Sequence, residues 1–272
     1  MTILPKLRAV SYLAPNWFGF YQAITVYLSR VLGLEIKLHQ GECDPLEDPL
    51  LLQDQIDLAF ICGLPLIRYC QVILDQLQTL VAPVMQSSRY YNRPIYFADV
   101  IVNADSNIKA FADLAGKTLS YNDLGSNSGY NLLRYKLVQE RYPLDFFGKT
   151  IQSGSHQRSI RWITEGLADF AAIDSVVLEQ ELRNFPELSK HLRVIEVLGP
   201  SPMPPLVVAQ HLGKPLIRQM QSALLQTDAK LQRSMERVGV KRFATMELED
   251  YKVLGQIYSE FWKLTTDVHS ER

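Results

Sequence analysis

Twice between residues 118 and 165, a short strand-like run gives way, through a few Ser, Gly and Asn residues, to a helix-like run. Residues 118–121 lead through Gly125-Ser126-Asn127-Ser128-Gly129-Tyr130 into a helical pattern over 129–141. Residues 149–152 lead through Ser153-Gly154-Ser155-His156 into a helical pattern over 156–165. Two such hand-overs in succession predict parallel α/β architecture, in which successive strand-to-helix turns share one sheet edge. Each turn places small hydroxyl residues at a helix N-terminus, where backbone N–H groups lack intrahelical partners and carry partial positive charge. Taken singly, either turn reads more readily as a plain N-cap than as a binding site. The pair together fits an oxyanion held with few or no Lys or Arg contacts.

The same alternation runs through most of the chain. Strands are expected at residues 7–12, 34–38, 58–61, 80–85, 96–102, 170–173, 192–197 and 206–209, beside the two at 118–121 and 149–152. Helices are expected at 17–32, 49–55, 65–71, 108–114, 176–184, 215–238 and 247–268, with Gly33 and Gly239 as stops. The segment Gly199-Pro-Ser-Pro-Met-Pro-Pro205 holds four of the chain's 14 prolines. Proline cannot donate to a ladder, so this segment reads as an extended crossover between two bodies.

With 272 residues, 47% of them hydrophobic and 21% charged, the chain has material for two ordinary domains and no disordered composition. A net charge of −1 without a long basic run gives nucleic acid no electrostatic footing. No apolar run approaches the roughly 20 residues that span a bilayer, so membrane insertion is not expected. Cys43, Cys62 and Cys70 are odd in number and lack metal-ligand spacing, and Cys62, closing an apolar run, reads as a small buried residue. The first ten residues lack the basic-then-apolar pattern of a secretory leader, so the location expected from them is cytoplasmic. A periplasmic or cell-surface location follows if a leader lies upstream.

Four stretches together resemble the phosphonate, phosphite and phosphate substrate-binding proteins of ABC importers: Asp105-Ser-Asn-Ile-Lys-Ala-Phe-Ala-Asp-Leu-Ala-Gly-Lys-Thr, Ser126-Asn-Ser-Gly, Ser153-Gly-Ser-His-Gln-Arg-Ser-Ile, and Gly166-Leu-Ala-Asp-Phe-Ala-Ala-Ile-Asp174. Leu58-Ala-Phe-Ile-Cys-Gly-Leu-Pro is similar to the end of the family's third strand, and residues 242–251 to its C-terminal signature. The resemblance covers most of the chain. It implies an α/β type II periplasmic-binding-protein fold: two lobes, each a mainly parallel sheet flanked by helices, joined by two crossovers near Tyr96-Phe97 and Pro204-Leu206, with ligand in the cleft. Lobe one would be residues 1–97 and 205–272, and lobe two the inserted 98–204.

Carried over by motif, the resemblance assigns Ser126, Asn127 and Ser128 to the phosphoryl oxygens through hydroxyls, amide and backbone N–H groups. It adds a ring donor from His156 and a phenolic donor from Tyr96. Asp174 would meet the distal part of the ligand or a P–OH; a carboxylate only accepts, so it would favour a protonated anion or a cationic tail. Asn127 departs from the family's common Thr. Further candidates are Asn16, Trp17, Gly63, Ser155 and Arg158. Trp17 is either a helix-start staple or a ligand wall. Arg158, in a first helical turn where a cation is disfavoured, is either a solvent-facing guanidinium or an added clamp.

The leading expectation is a non-enzymatic, monomeric binding protein for a small phosphorus oxyanion, working with an ABC permease or a signalling partner and without cofactor or metal. The alternative is a leaderless cytosolic sensor, or a biosynthetic enzyme on the same fold. No activated Ser/His/Asp order, zinc motif or Walker-type loop appears, and residues 125–130 lack the P-loop Lys.

Overall fold

The computed structural model describes residues 6–260. Among these, the chain separates into two compact units: residues 6–95 with 202–252, and residues 96–201 with 253–260. The sequence placed 253–260 with the returning segment from 205 onwards. They group instead with the inserted unit; just before them, Tyr251 of the first unit is fully buried, with its hydroxyl donating to Met203 O at 2.8 Å. The part of the expected C-terminal helix beyond residue 260 lies outside the described residues.

The first unit is built on a six-stranded sheet: β1 (Lys6–Ser11), β2 (Glu35–Gln40), β3 (Leu58–Phe60), β4 (Leu77–Met85), β10 (Leu206–Ala209) and β11 (Val240–Ala244) in the order β11-β4-β10-β3-β1-β2. β1 pairs in parallel with β2 and β3; β10 runs against β3 and β4, and β11 against β4. Strands β3 and β10 are buried along their whole length, as central strands covered on both faces must be. The helices are α1 (Phe18–Leu32), α2 (Pro49–Leu52), α3 (Gly63–Val72), α7 (Lys214–Leu225) and α8 (Ala229–Arg237). Gly33 ends α1 at φ 65°, a conformation in which a Cβ is strained.

The inserted unit holds a five-stranded sheet of β5 (Ile95–Asn103), β6 (Leu119–Tyr121), β7 (Thr150–Gln152), β8 (Phe170–Asp174) and β9 (Leu192–Pro202), ordered β7-β6-β8-β5-β9. β6 is parallel to both β7 and β8, and β5 runs antiparallel to β8. Helices α4 (Leu132–Gln139), α5 (His156–Thr164) and α6 (Ser175–Asn184) each follow one of the parallel strands. Val100, Leu119, Leu133, Phe147 and Phe170 form the centre of this unit's core.

Four expectations need correction. The helix expected at 108–114 is only a 3₁₀ turn, Phe111–Leu114. The carbonyls of Ala104, Ser106 and Ile108 accept from the Arg193 guanidinium at 2.7–2.8 Å, and Asp113 accepts from the N–H groups of Lys109 and Ala110, so these backbone groups are spent outside a helix. The long helix expected at 215–238 is two, because Asp228 accepts from the N–H groups of Lys230 and Leu231 and so caps α8 anew. The proline-rich crossover is partly strand: β9 continues to Pro202, tolerated because β9 is an edge strand. Cys62 is half-buried and stands at the N-cap of α3 instead of inside the core.

Candidate functional site

Because β6, β7 and β8 run parallel, the three turns that follow them lie on one edge of the inserted sheet. Each turn ends in a side-chain cap. Ser126 Oγ accepts from Gly129 N at 3.0 Å, Ser155 Oγ from Arg158 N at 3.2 Å, and Asp174 Oδ1 from Val176 N at 2.9 Å. The first of these turns is a π turn, Asn127–Asn131, closed by Asn131 N donating to Ser126 O at 3.0 Å and running on into α4. A π turn at a helix start widens the ring of open N–H groups. Capping by Ser126 and Ser155 leaves the N–H groups of Asn127, Ser128, His156 and Gln157 without intrahelical acceptors, at the positive ends of two helices.

The two turns meet through side chains. Ser128 Oγ lies 3.2 Å from His156 Nε2, both residues being buried. His156 Nδ1 is buried and has no partner. Loss of hydration pushes the imidazole pKa down to about 4, so the ring is neutral near pH 7 and its two nitrogens divide one hydrogen. If Nε2 donates to Ser128, the serine hydroxyl keeps its hydrogen for another acceptor. If Ser128 donates to Nε2, the hydrogen stands on the unpartnered Nδ1. In either tautomer the pair offers one donor to an oxygen outside itself.

Asp174 is the third cap on this edge. Burial pushes its carboxyl up to about 7 against the lowering effect of the N–H groups of Val176 and Val177, and the nearby Asp99 raises it further. A group poised there exchanges its proton near neutral pH, as either a P–OH acceptor or a neutral donor.

Asn127 is fully buried, and its amide is wholly engaged: Nδ2 donates to Tyr96 Oη at 2.8 Å and Ser201 Oγ at 3.1 Å, while Oδ1 accepts from Asn131 Nδ2 at 3.1 Å. Its side chain therefore has no hydrogen left to donate, while its backbone N–H has no intrahelical acceptor. Tyr96 joins the same cluster as acceptor from Asn127. Arg158 is exposed, but its guanidinium folds back to donate to Ser153 O at 2.8 Å. It is the single Lys or Arg in residues 122–131 and 153–160. Behind these turns, Ser120, Ser153 and Ser159 form a buried hydroxyl chain, 3.0 and 2.7 Å between oxygens, that ties β6 to α5.

The remaining candidates belong to the other unit. Asn16 and Trp17 form the 3₁₀ turn after β1, and Gly63 opens α3 after β3. Trp17 is 2% exposed and packs on Phe20 and Tyr21 with ring centroids 5.6 and 6.1 Å apart, so it fills the core at the start of α1. Ser201 and Asn131 are the members of the Asn127 cluster that sequence reasoning passed over. Ser201 sits between two prolines and carried no signal; Asn131 sits four residues after Asn127, within reach along a helix.

Residues 16–251 match the family described as the periplasmic substrate-binding protein of phosphonate ABC transporters. The chain belongs to this family. Members are solute-binding proteins and not enzymes, and the matched region contains both serine turns, His156 and Asp174. Among curated proteins, the chain is 28% identical over 167 residues to PhnD1 of Prochlorococcus marinus (strain MIT 9301), a probable ABC transporter phosphite-binding protein; the alignment spans 57% of this chain and 56% of that relative. Two solved structures share the fold. The binding-protein component of an ABC phosphonate transporter from Pseudomonas aeruginosa superposes with a TM-score of 0.77 at 16% identity, covering 98% of this chain and 100% of that one. PhnD1 from Prochlorococcus marinus, solved with methylphosphonate, gives 0.82 at 17% identity, covering 95% and 98%. These establish the type II periplasmic-binding-protein fold.

Proposed function

We propose that this protein is the solute-binding component of an ABC importer and takes a small phosphorus oxyanion, of the phosphonate, phosphite or phosphate type, at the edge where α4 and α5 begin. The observation that carries the reading is the Ser128–His156 pair. It bridges two helix N-termini, is buried, and holds one hydrogen for an outside acceptor. Open N–H groups of two helices, a serine hydroxyl and a neutral imidazole form a donor set for tetrahedral oxygens, with charge balance supplied by helix ends instead of a guanidinium. Asp174 adds an acceptor on the same edge, which favours a ligand with a P–OH or a cationic tail over one with acceptors alone. The partner that follows from this role is an ABC permease, and the protein itself performs no bond chemistry on its ligand.

Thermal unfolding tests the reading. Phosphite, phosphate or methylphosphonate at roughly 100 times its dissociation constant should add about 2.7 kcal/mol of stability and raise Tm accordingly. Methanesulfonate, a tetrahedral anion with no acidic hydrogen to offer Asp174, should add less. If no phosphorus anion shifts Tm at millimolar concentration, while methanesulfonate or a neutral metabolite does, the oxyanion assignment is wrong.

A further inference from the structure

The anion turn is tied to two distant points of its own unit by one side chain. Tyr96 and Ser201 are the first and last residues of the segment 96–201, two of the three places where the chain passes from one unit to the other, the third being between Lys252 and Val253. The Asn127 amide reaches both, one N–H to each hydroxyl, while Asn131 holds its carbonyl from behind. A serine or threonine at this position has one O–H and cannot donate to two acceptors at once; an amide has two N–H bonds about 120° apart and can. All three contacts are buried, so water cannot replace any of them cheaply, and losing the amide leaves the Ser201 hydroxyl without its donor. Since Ser201 Oγ accepts from Asn127, its own hydrogen is directed elsewhere than the amide.

We propose that Asn127 is the positioning residue of the anion site: its amide pins the π turn to Tyr96 and Ser201, and so fixes the direction of the backbone N–H groups of Asn127 and Ser128 without touching the ligand. The idea rests on the oxyanion reading above and deepens it. It makes the geometry of the donor turn depend on both ends of the segment 96–201. Asn127 and Ser201 then act as one unit on affinity, and their substitutions are non-additive.

Calorimetric titration with methylphosphonate and with phosphite should be run on the wild type, Asn127→Ala, Ser201→Ala and the double variant, with Tm of each ligand-free protein and hydrogen exchange over residues 126–132. The expected result is an affinity loss of about tenfold or more for Asn127→Ala and a smaller loss for Ser201→Ala, on the scale of about one to two buried hydrogen bonds. The double variant should be no weaker than Asn127→Ala alone, and exchange across 126–132 should be faster in both single variants. Unchanged affinity with a lowered Tm would make Asn127 a plain structural brace, and fold-losses that multiply in the double variant would make the two residues independent; either overturns the proposal. If Asn127→Ala fails to fold, Asn127→Thr, which keeps one donor, and Ser201→Ala carry the same comparison. If the wild type binds neither anion, the oxyanion reading falls, and the exchange of the ligand-free proteins still decides whether Asn127 and Ser201 hold the turn.

Discussion

The starts of α1 and α3 in the first unit and the three turns of the inserted unit put the same topological feature, a parallel strand followed by a helix, to opposite chemical use; α2, capped by Asp48, is the first unit's exception. In the first unit, α1 and α3 follow β1 and β3, and neither start has a side-chain cap: the residues there are Trp17 and Cys62. Trp17, Phe20, Tyr21 and Phe60 fill the space with ring contacts instead, Tyr21 and Phe60 stacking at 4.4 Å. In the inserted unit, α4, α5 and α6 follow β6, β7 and β8; Ser155 and Asp174 cap α5 and α6, and Ser126 caps the π turn that runs on into α4. Buried polar groups normally cost stability unless paired, so a sheet edge that collects them, and leaves His156 Nδ1 unpartnered, is costly for folding alone, and it is the edge to which the proposed function assigns the ligand. The aromatic edge is shaped by packing. The fold supplies the edge in both units; the residues decide its purpose.

The sharpest way to break that contrast is at Trp17. Trp17→Ala should lower unfolding stability by about 3–5 kcal/mol through cavity formation while leaving the affinity of the folded protein for phosphorus anions nearly unchanged. A large loss of affinity measured under folding conditions would show that the aromatic edge serves the ligand after all. Next in size, Ser128→Ala and His156→Ala should each weaken methylphosphonate or phosphite binding by about ten- to a hundredfold, with small effects on Tm. The reverse pattern in both, intact affinity and a fall in Tm, would make the Ser128–His156 pair a structural tie.

The pH dependence of stability sharpens the comparison further. The folded protein holds the Asp174 proton up to about pH 7, whereas the unfolded chain releases it near the ordinary Asp value, so this group makes stability fall as pH rises between these values. His156, neutral in the fold down to about pH 4, acts in the opposite sense: its contribution is lost as pH falls from the ordinary His value toward 4. Asp174→Asn keeps a capping side chain, so in denaturant titrations from pH 4 to 8 its stability relative to wild type should climb with pH up to about 7 and then level off. A flat difference curve would mean that Asp174 is ionised in the fold throughout. The smallest effect is expected at Gly19, inside α1, where an added Cβ meets nothing within 4 Å; Gly19→Ala should stabilise the protein by about 0.5–1 kcal/mol. Gly129→Ala should not, because there a Cβ would stand 1.8 Å from Asn122 Oδ1 and 3.1 Å from the capping Ser126 Oγ. Equal gains in both would show that the anion turn has room to spare.

What was legible in the sequence was local. The alternation of apolar runs and Ser/Gly turns gave β6, α4, β7 and α5 to within a few residues, since strand and helix starts are governed by neighbours along the chain. The same local reading failed where a distant group intervened. Arg193 takes three carbonyls from residues 104–108 and unmakes an expected helix; an exposed sheet edge lets β9 run through two prolines; β11, residues Val240–Ala244, becomes a strand because β4 offers it a ladder.

The anion turns follow the same division. By itself the sequence determined that two helices would begin with Ser, Asn and His residues on parallel strands, because capping and helix polarity are properties of consecutive residues. Only the tertiary structure decided which of those side chains are spent on one another and which keep a hydrogen-bonding atom without a partner. It paired Ser128 with His156 across 28 positions, and it turned the Asn127 amide inward to Tyr96 and Ser201, 31 and 74 positions away. Burial then set the protonation of His156 and Asp174. Hydrogen bonds over such separations and loss of hydration both depend on what the folded chain brings alongside a residue, and no spacing along the sequence encodes that.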